Sequence, residues 1–339
     1  MRTVVSIPPL PRMSGGIAVL YQVADRLAEC GFPVTLTGMP GTSPGLDAAG
    51  QKLPVVAWGK AGENLAFSSD DLVLVPEGWP NMAAPALAAS ARVRVYVQNW
   101  AYLFSALPEG VCWQQLPARF LTVSHPVAWF VHTIANLPVD GIIPPALDAS
   151  LFHAEPASRP RDRIRIAWMP RKNKALAEQI RHIATAALVG RGSLPRMEWV
   201  PIHGMAPDDV AQTMRSCHIF LATGFPEGFA LPPLEAMACG CLVTGFAGFG
   251  GWEYMRQARP GLYTPRLELR QTVWGGNGLF AADGDVVEAA RALVDAIDIT
   301  LADGRERALI LEAAALAAAT YSTDAQREAV RAVWAAYTA

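Results

Sequence analysis

Short apolar strands alternate with helical stretches twice over along this chain, and that alternation admits few folds. Residues 3–7 read as a β-branched strand, followed by SGG and then by Ile17, Leu20, Tyr21, Ala24, Leu27 and Ala28 at helical spacing, until Gly31 stops the helix. Residues 34–37, LVLVPEG (72–78), VRVYVQN (93–99), FLTVSH (120–125) and GIIPP (141–145) supply further apolar runs, most of them closed by a polar or proline-containing turn. Strands apolar on both faces belong to a sheet covered on both sides, so the pattern predicts a parallel, doubly wound α/β sheet. The second half repeats it. IRIAWM (164–169), MEWVPI (197–202), HIFLAT (218–223) and LVTGF (242–246) read as strands. Helices are expected at about 175–189, 208–215, from Pro232-Pro233 to Gly240, and at about 285–302, 305–319 and 323–337. Proline just inside a helix start and glycine just past its end is the asymmetry that helix termini favour, and Ser322 with Asp324 is a cap for the last helix.

Two such halves imply two domains, as does a length of 339 residues, more than one hydrophobic core usually fills. The boundary is placed at AEPASRPRDR, which has no apolar periodicity. The expected division is a first domain over 1–153, a linker over 154–163, a second domain over 164–322 and a closing helix over 323–339. Arg159, Arg161 and Arg163 in that linker read as solvated, ahead of the alternative of a phosphate or membrane patch. An apolar fraction of 52% with 17% charged residues argues against disorder. Apolar stretches are interrupted well short of the ~18 residues that a membrane crossing needs. The opening, one arginine and a run broken by prolines, does not read as a signal peptide, so the expected location is the cytoplasm. Up to Ser150 the chain has 8 basic and 10 acidic residues and beyond it 20 of each, so neither half carries the basic excess that would invite a nucleic-acid partner. Cys30, Cys112, Cys217, Cys239 and Cys241 fit neither zinc-ligand spacing nor an easy disulfide, and read as small buried thiols of a reducing compartment.

The chemistry is concentrated in GFPEGFALPPLEAMACGCLVTGFAGFGGWE, residues 224–253. Glu227 falls in the loop after a strand and Glu235 in the first turn of the next helix. In an open parallel sheet ligands bind where strands end, so both carboxylates can face a ligand there. A carboxylate only accepts hydrogen bonds, and its two oxygens suit the paired hydroxyls of a ribose or a hexose. The glycines of GFAGFGGWE read as a close backbone approach to such a ligand, leading to Glu253.

The string PEGFALPPLEAMACG resembles the signature of family 4 retaining glycosyltransferases, in which two glutamates separated by seven residues lie in a PEGFGLPxLEAMAxG context. SGGIAVLYQVADRLAECGFPVTL is similar to that family's opening, GIIPPALDASLF occupies the place of its IPNGVDxxxF element, and YSTDAQREAVRAVWAAY resembles its closing helix. The resemblance spans nearly the whole chain. It implies the GT-B fold: two Rossmann-like domains with doubly wound parallel sheets facing a cleft, and a last helix crossing back to the first domain. It implies that Glu235 binds the ribose of a nucleotide donor and that Glu227 contacts the transferred sugar. Arg171 and Lys172 of MPRKNK would neutralise the diphosphate, with Lys174 as a rival. Gly15 and Gly16 would bring N–H groups at a helix N-terminus to it, and Phe229, Ala230 and Leu231 would lie on the donor side.

Where the family often has a histidine near the reacting sugar this chain reads VQNW. Gln98 or Asn99 therefore stands there, and His125 after the next strand is the other candidate for a sugar or acceptor contact. Cations and N–H donors replace a metal in such a site, so neither metal nor cofactor is expected. Asp70-Asp71 precedes a strand and reads as a solvated turn. Trp100, Tyr102, Phe104 and Trp113 read as core, ahead of an acceptor platform or a membrane-surface patch. The implied activity is metal-independent retaining hexosyl transfer from a nucleotide diphosphate sugar to a glycan or lipid-linked acceptor, in exopolysaccharide or cell-envelope synthesis, in the cytoplasm or at the inner face of the membrane. The alternatives are a sugar-nucleotide epimerase or a phosphorylase of the same fold, or a non-catalytic sugar-nucleotide sensor.

Overall fold

The apolar runs of the first half become the inside of a parallel sheet. In a computed structural model, which describes residues 1–10, 14–38, 55–57, 66–155, 158–265, 267 and 269–338, the chain divides into two units. One comprises Met1–Ala146 with Thr323–Ala339, and the other Leu147–Ser322. The first unit is built from β1 (Thr3–Ile7), α1 (Gly15–Glu29), β2 (Val34–Gly38), β3 (Val55–Ala57), β4 (Leu72–Pro76), α2 (Ala84–Ala88), β5 (Arg92–Val97), β6 (Ala118–Thr122), α3 (His125–Trp129) and β7 (Val139–Ile142). Its strands pair in the order β3-β2-β1-β4-β5-β6-β7, all parallel. Every residue of β1 and β4 is buried, which is why these strands show no polar alternation.

The second unit contains β8 (Ile164–Trp168), α4 (Lys174–Gly190), β9 (Met197–Pro201), α5 (Pro207–Arg215), β10 (Ile219–Ala222), α6 (Leu231–Ala238), β11 (Leu242–Phe246), β12 (Gly278–Ala281), α7 (Val286–Ala302) and α8 (Arg305–Thr320). The strands run parallel in the order β12-β11-β10-β8-β9. Ile166, Ile219 and Leu242 from the sheet form one buried cluster with Ile180 and Leu188 of α4 and Leu293 and Ile297 of α7. The last helix, α9 (Thr323–Thr338), belongs to the first unit: fully buried Trp334 donates its Nε1–H to Thr3 Oγ1 at 2.8 Å. No helix among the described residues is long and apolar enough to cross a membrane.

The two glycine stops act by one device. Gly31 and Gly240 take φ of 81° and 78°, where a side chain would be strained. The N–H groups of Phe32 and Cys241 then turn back to the carbonyls of Leu27 and Ala236, closing α1 and α6 with paired terminal hydrogen bonds.

Other expectations change. β12 is invisible in the sequence because it is four residues long and opens on Gly278, where an added Cβ would lie 2.6 Å from the Val243 carbonyl. β7 begins two residues before GIIPP, at Val139, which pairs with Phe120 of β6. Asp71 is not solvated. It is 3% exposed and paired with Arg2 at 2.6 Å; burial pushes its carboxyl up, but Arg2 and the Ser68 N–H outweigh this and hold it low. Of the four aromatics read as core only Trp113 is core. Tyr102 and Phe104 are 47% and 48% exposed, because the turn after β5 carries them over the surface. Two of the arginines at 159–163 are not free either: Arg159 donates to the Cys217 and Cys239 carbonyls at 2.8 and 2.6 Å and Arg163 to Glu198 at 2.7 Å, while Arg161 is exposed as expected. All five cysteines are free thiols, but only Cys217, Cys239 and Cys241 are buried as expected: Cys30 is half-buried and Cys112 is exposed.

Candidate active site

Parallel strands release their loops at one edge, and β8 and β10 are neighbours. The loops that follow them, MPRKN (169–173) and TGFPEGFA (223–230), therefore meet. Asn173 holds them together. It sits in the left-handed region (φ 57°) just before α4, and its Nδ2 donates to the Thr223 and Phe225 carbonyls at 2.8 and 3.2 Å. That latch brings Lys172 Nζ to 2.7 Å from Glu227 Oε1, with both side chains only partly exposed, 28% and 20%. Arg171 is exposed and has no ion-pair partner among the described residues. Arg171, Lys172, Glu227 and Ala230 line one pocket of about 50 Å³, over a floor that includes Leu221 and Phe246. The rival Lys174 turns onto its own helix, 3.7 Å from Glu178, and does not line this pocket.

Glu235 lies one turn deeper than expected, because α6 begins at Leu231 and makes it the fifth helical residue. It is half-buried, and no side-chain or backbone donor among the described residues reaches its carboxylate. Burial pushes it up to about 7. Half-buried and unpartnered, it is poised to accept hydrogen bonds from a ligand. The residues between the two glutamates do different work. Phe229 is 7% exposed, its ring 5.5 Å from that of Tyr254 and 5.0 Å from that of Tyr321, while the Tyr254 hydroxyl donates to the Ala230 carbonyl. Leu231 is half-buried at the helix start. Of these three only Ala230 lines the pocket.

The following glycines support the glutamate loop. The Gly250 N–H donates to the Glu227 carbonyl at 3.0 Å, and an added Cβ there would come within 2.5 Å of Gly228 C. Only glycine allows the two loops to lie so close. Glu253 is 1% exposed and committed to Arg270, at 2.5 Å, and to the Tyr321 hydroxyl, at 3.1 Å, so this segment is scaffold.

The first unit gathers its candidates at the ends of its own strands. Ser14 caps α1, its Oγ accepting from Ile17 N, and the N–H groups of Gly15 and Gly16 precede the first helical bonds. An added Cβ on Gly16 would lie 3.2 Å from Gln98 Oε1, so the Gln98 amide rests on that helix start. Asn99 is 7% exposed and its Oδ1 accepts from Ala101 N, a capping role. His125 is the half-buried first residue of α3.

Glu77, which no motif of the sequence marks, underlies this group. It follows β4, is 4% exposed, and its Oε1 accepts from the Asn99 N–H at 2.7 Å. A carboxylate directly closing a fully buried strand was the available signal. Burial outweighs the N–H donors of Gln98, Glu77 and Asn99 and pushes it from 4.5 to about 7. The fold thus favours the protonated form. That contribution is complete below pH 4.5 and is lost as pH rises through 7. Wild-type stability should therefore fall between pH 5 and 8 relative to a Glu77→Gln variant, by on the order of 3 kcal/mol. Parallel pH curves for the two proteins in denaturant titrations would contradict this.

Comparison with known proteins bears on the family and the fold. Residues 164–299 match the family described as Glycosyl transferases group 1. An alpha-1,6-glucosyltransferase of Actinobacillus pleuropneumoniae serotype 7 is 28% identical over 201 residues, which are 58% of this chain and 58% of that protein. The alignment thus spans less than two thirds of the relative's length. Among solved structures, sucrose-phosphate synthase from Thermosynechococcus elongatus superposes with a TM-score of 0.65 at 13% identity, over 100% of this chain and 99% of that one. A lipopolysaccharide outer core galactosyltransferase gives 0.62 at 12% identity, over 99% and 100%. At such identities these likenesses establish the fold, which is GT-B.

Proposed function

We propose that this protein is a retaining glycosyltransferase of family 4 that moves a hexosyl group from a nucleotide diphosphate donor to a glycan or lipid-linked acceptor of polysaccharide or envelope synthesis. The observation that carries the reading is the Lys172–Glu227 pair, latched by Asn173 and followed on α6 by the unpartnered carboxylate of Glu235. The match of residues 164–299 to a glycosyltransferase family supports it independently. Glu235 accepts the ribose hydroxyls of the nucleotide. Lys172 gives one N–H to Glu227 and another, at 3.5 Å, to the Pro226 carbonyl, and keeps the third for the diphosphate, where Arg171 adds a second cation. Glu227 accepts a hydroxyl of the departing sugar. As the bond to the diphosphate breaks, negative charge grows on the leaving oxygens and the positioned cations stabilise it. In the first unit, the N–H groups of Gly15 and Gly16 are anion donors, and the Gln98 amide can bond a sugar hydroxyl but cannot act as a base.

Glu235→Ala should weaken nucleoside diphosphate binding by ~1.5–3 kcal/mol, the range for hydrogen bonds to a charged group. In the wild type, affinity should rise as pH passes upward through about 7, where the carboxyl ionises and becomes acceptor-only. Calorimetry across pH 6 to 8 reads both. An affinity untouched by the substitution, in a folded protein, would sink the ribose assignment. Transfer should also persist in excess EDTA, because fixed cations and N–H groups take the place of a metal. A chemical step that needs magnesium or manganese would overturn that part of the reading.

A further inference from the structure

At the edge of the second unit's sheet opposite Lys172 and Glu227, where β8, β9 and β10 begin, lies a cavity of about 710 Å³. Five arginines line it, Arg159, Arg161, Arg163, Arg196 and Arg307, against two aspartates, Asp162 and Asp303. Four of these arginines have partners that position them. Arg159 is fixed by the carbonyls of Cys217 and Cys239, and Arg163 by Glu198 at 2.7 Å. Asp162 is shared between Arg163, at 3.0 Å, and Arg196, at 2.9 Å. Donors remain. Arg161 has no hydrogen bond or ion pair among the described residues, and Arg307, although paired with Asp303, keeps a buried Nε without a partner. Beside them α8 opens after Gly304, which offers its first N–H groups no side-chain cap.

The electrostatics of the lining agree with the geometry. His218, which lines the same cavity, accepts from the Arg165 N–H through Nδ1 at 3.1 Å. Burial, then the charges of Arg159, Arg307 and Arg165, push it down to about 4, so it stays neutral and leaves the arginine charge in excess. Guanidinium groups match phosphate oxygens in pairs, and fixed ones lose little freedom on binding. The cavity is far larger than one phosphate requires.

We infer that this cavity is a second ligand site, which takes a soluble ligand bearing two or more phosphate groups and is separate from the Lys172–Glu227 pocket. Its test is calorimetric titration of the full chain with inorganic tripolyphosphate at low salt. Wild type and Lys172→Ala should both bind, since removing the cation beside Glu227 leaves this site whole. In the Lys172→Ala background, where the cation of the first site is gone, adding Arg161→Ala/Arg196→Ala should weaken tripolyphosphate binding at least ~10-fold, as expected when charged hydrogen bonds are lost, while the same pair in an otherwise wild-type chain leaves nucleoside diphosphate affinity unchanged. Binding should weaken steeply towards 0.5 M salt, roughly the range where surface charges are screened. Arg196 is 70% exposed, and the partnerless Arg161→Ala alone is the milder variant should the double one fold poorly. Tripolyphosphate binding unchanged by the arginine substitutions, or abolished by Lys172→Ala, would overturn the site. So would capture by phosphatidylglycerol vesicles without any binding of tripolyphosphate, which would make the ligand a lipid surface.

Discussion

Replacing Lys172 by alanine should lower kcat by ~10²–10³-fold with donor saturating, the loss expected when one preorganised electrostatic contact is removed. The ammonium is held 2.7 Å from Glu227, so it is positioned before the donor arrives and costs little reorganisation when charge develops. Its effect belongs in kcat because the diphosphate gains charge only as the glycosidic bond breaks. Glu227→Gln should cost about 10²-fold by the same reasoning, since its hydrogen bond to the sugar strengthens as the ring gains positive charge. The two losses should not multiply. Each residue orients the other, so the double variant should fall short of the product of the single ones. An unchanged kcat in Lys172→Ala would remove the cation from the leaving group. A stable sugar adduct on Glu227, seen by mass spectrometry of donor-treated protein, would replace electrostatic support with covalent catalysis.

What could be read in the sequence was local chemistry, and what could not was chemistry between distant residues. Gly31 and Gly240 are legible as helix stops because a left-handed residue is needed at that point whatever surrounds it. The runs LVLVP and IFLA are legible because a strand covered on both faces must be apolar throughout. Glu227 and Glu235 were visible through their spacing in a recognisable string, although only the structure gives Glu227 its partner and leaves Glu235 without one. Asn173 carries no such signal. Its value lies in two carbonyls fifty residues away, at Thr223 and Phe225, and nothing next to it announces them. Asp71 and Arg159 mislead for the same reason, since a charged residue beside a turn looks solvated until its partner, Arg2 or the Cys239 carbonyl, is placed. Glu77 reverses the case: its neighbours are known, but its burial depends on strands that assemble around it.

Glu253 shows how such a long-range partner becomes a stability effect. Its carboxylate is 1% exposed and takes Arg270 Nη1 at 2.5 Å and the Tyr321 hydroxyl at 3.1 Å, while Arg270 also donates to that hydroxyl at 2.6 Å. The Arg270 guanidinium lies 5.4 Å from the Tyr321 ring centroid, and the same ring meets Phe229 beside the glutamate loop. Glu253→Ala leaves a mostly buried guanidinium without its counter-ion, which costs about 3–5 kcal/mol where the charge is fully enclosed. Arg270 keeps 24% side-chain exposure, so the lower end, about 3 kcal/mol, is expected here. For a domain of this size that lowers Tm by roughly 6–12 °C. Glu253→Gln keeps one acceptor oxygen and should lose less. Replacing both partners together, Glu253→Leu with Arg270→Met, removes the stranded charge and should recover much of the loss, because the desolvation cost of both ions disappears with them. Thermal denaturation of the three variants decides the matter. If Glu253→Ala melts within a degree or two of wild type, the pair is screened by water and does not hold the glutamate loop.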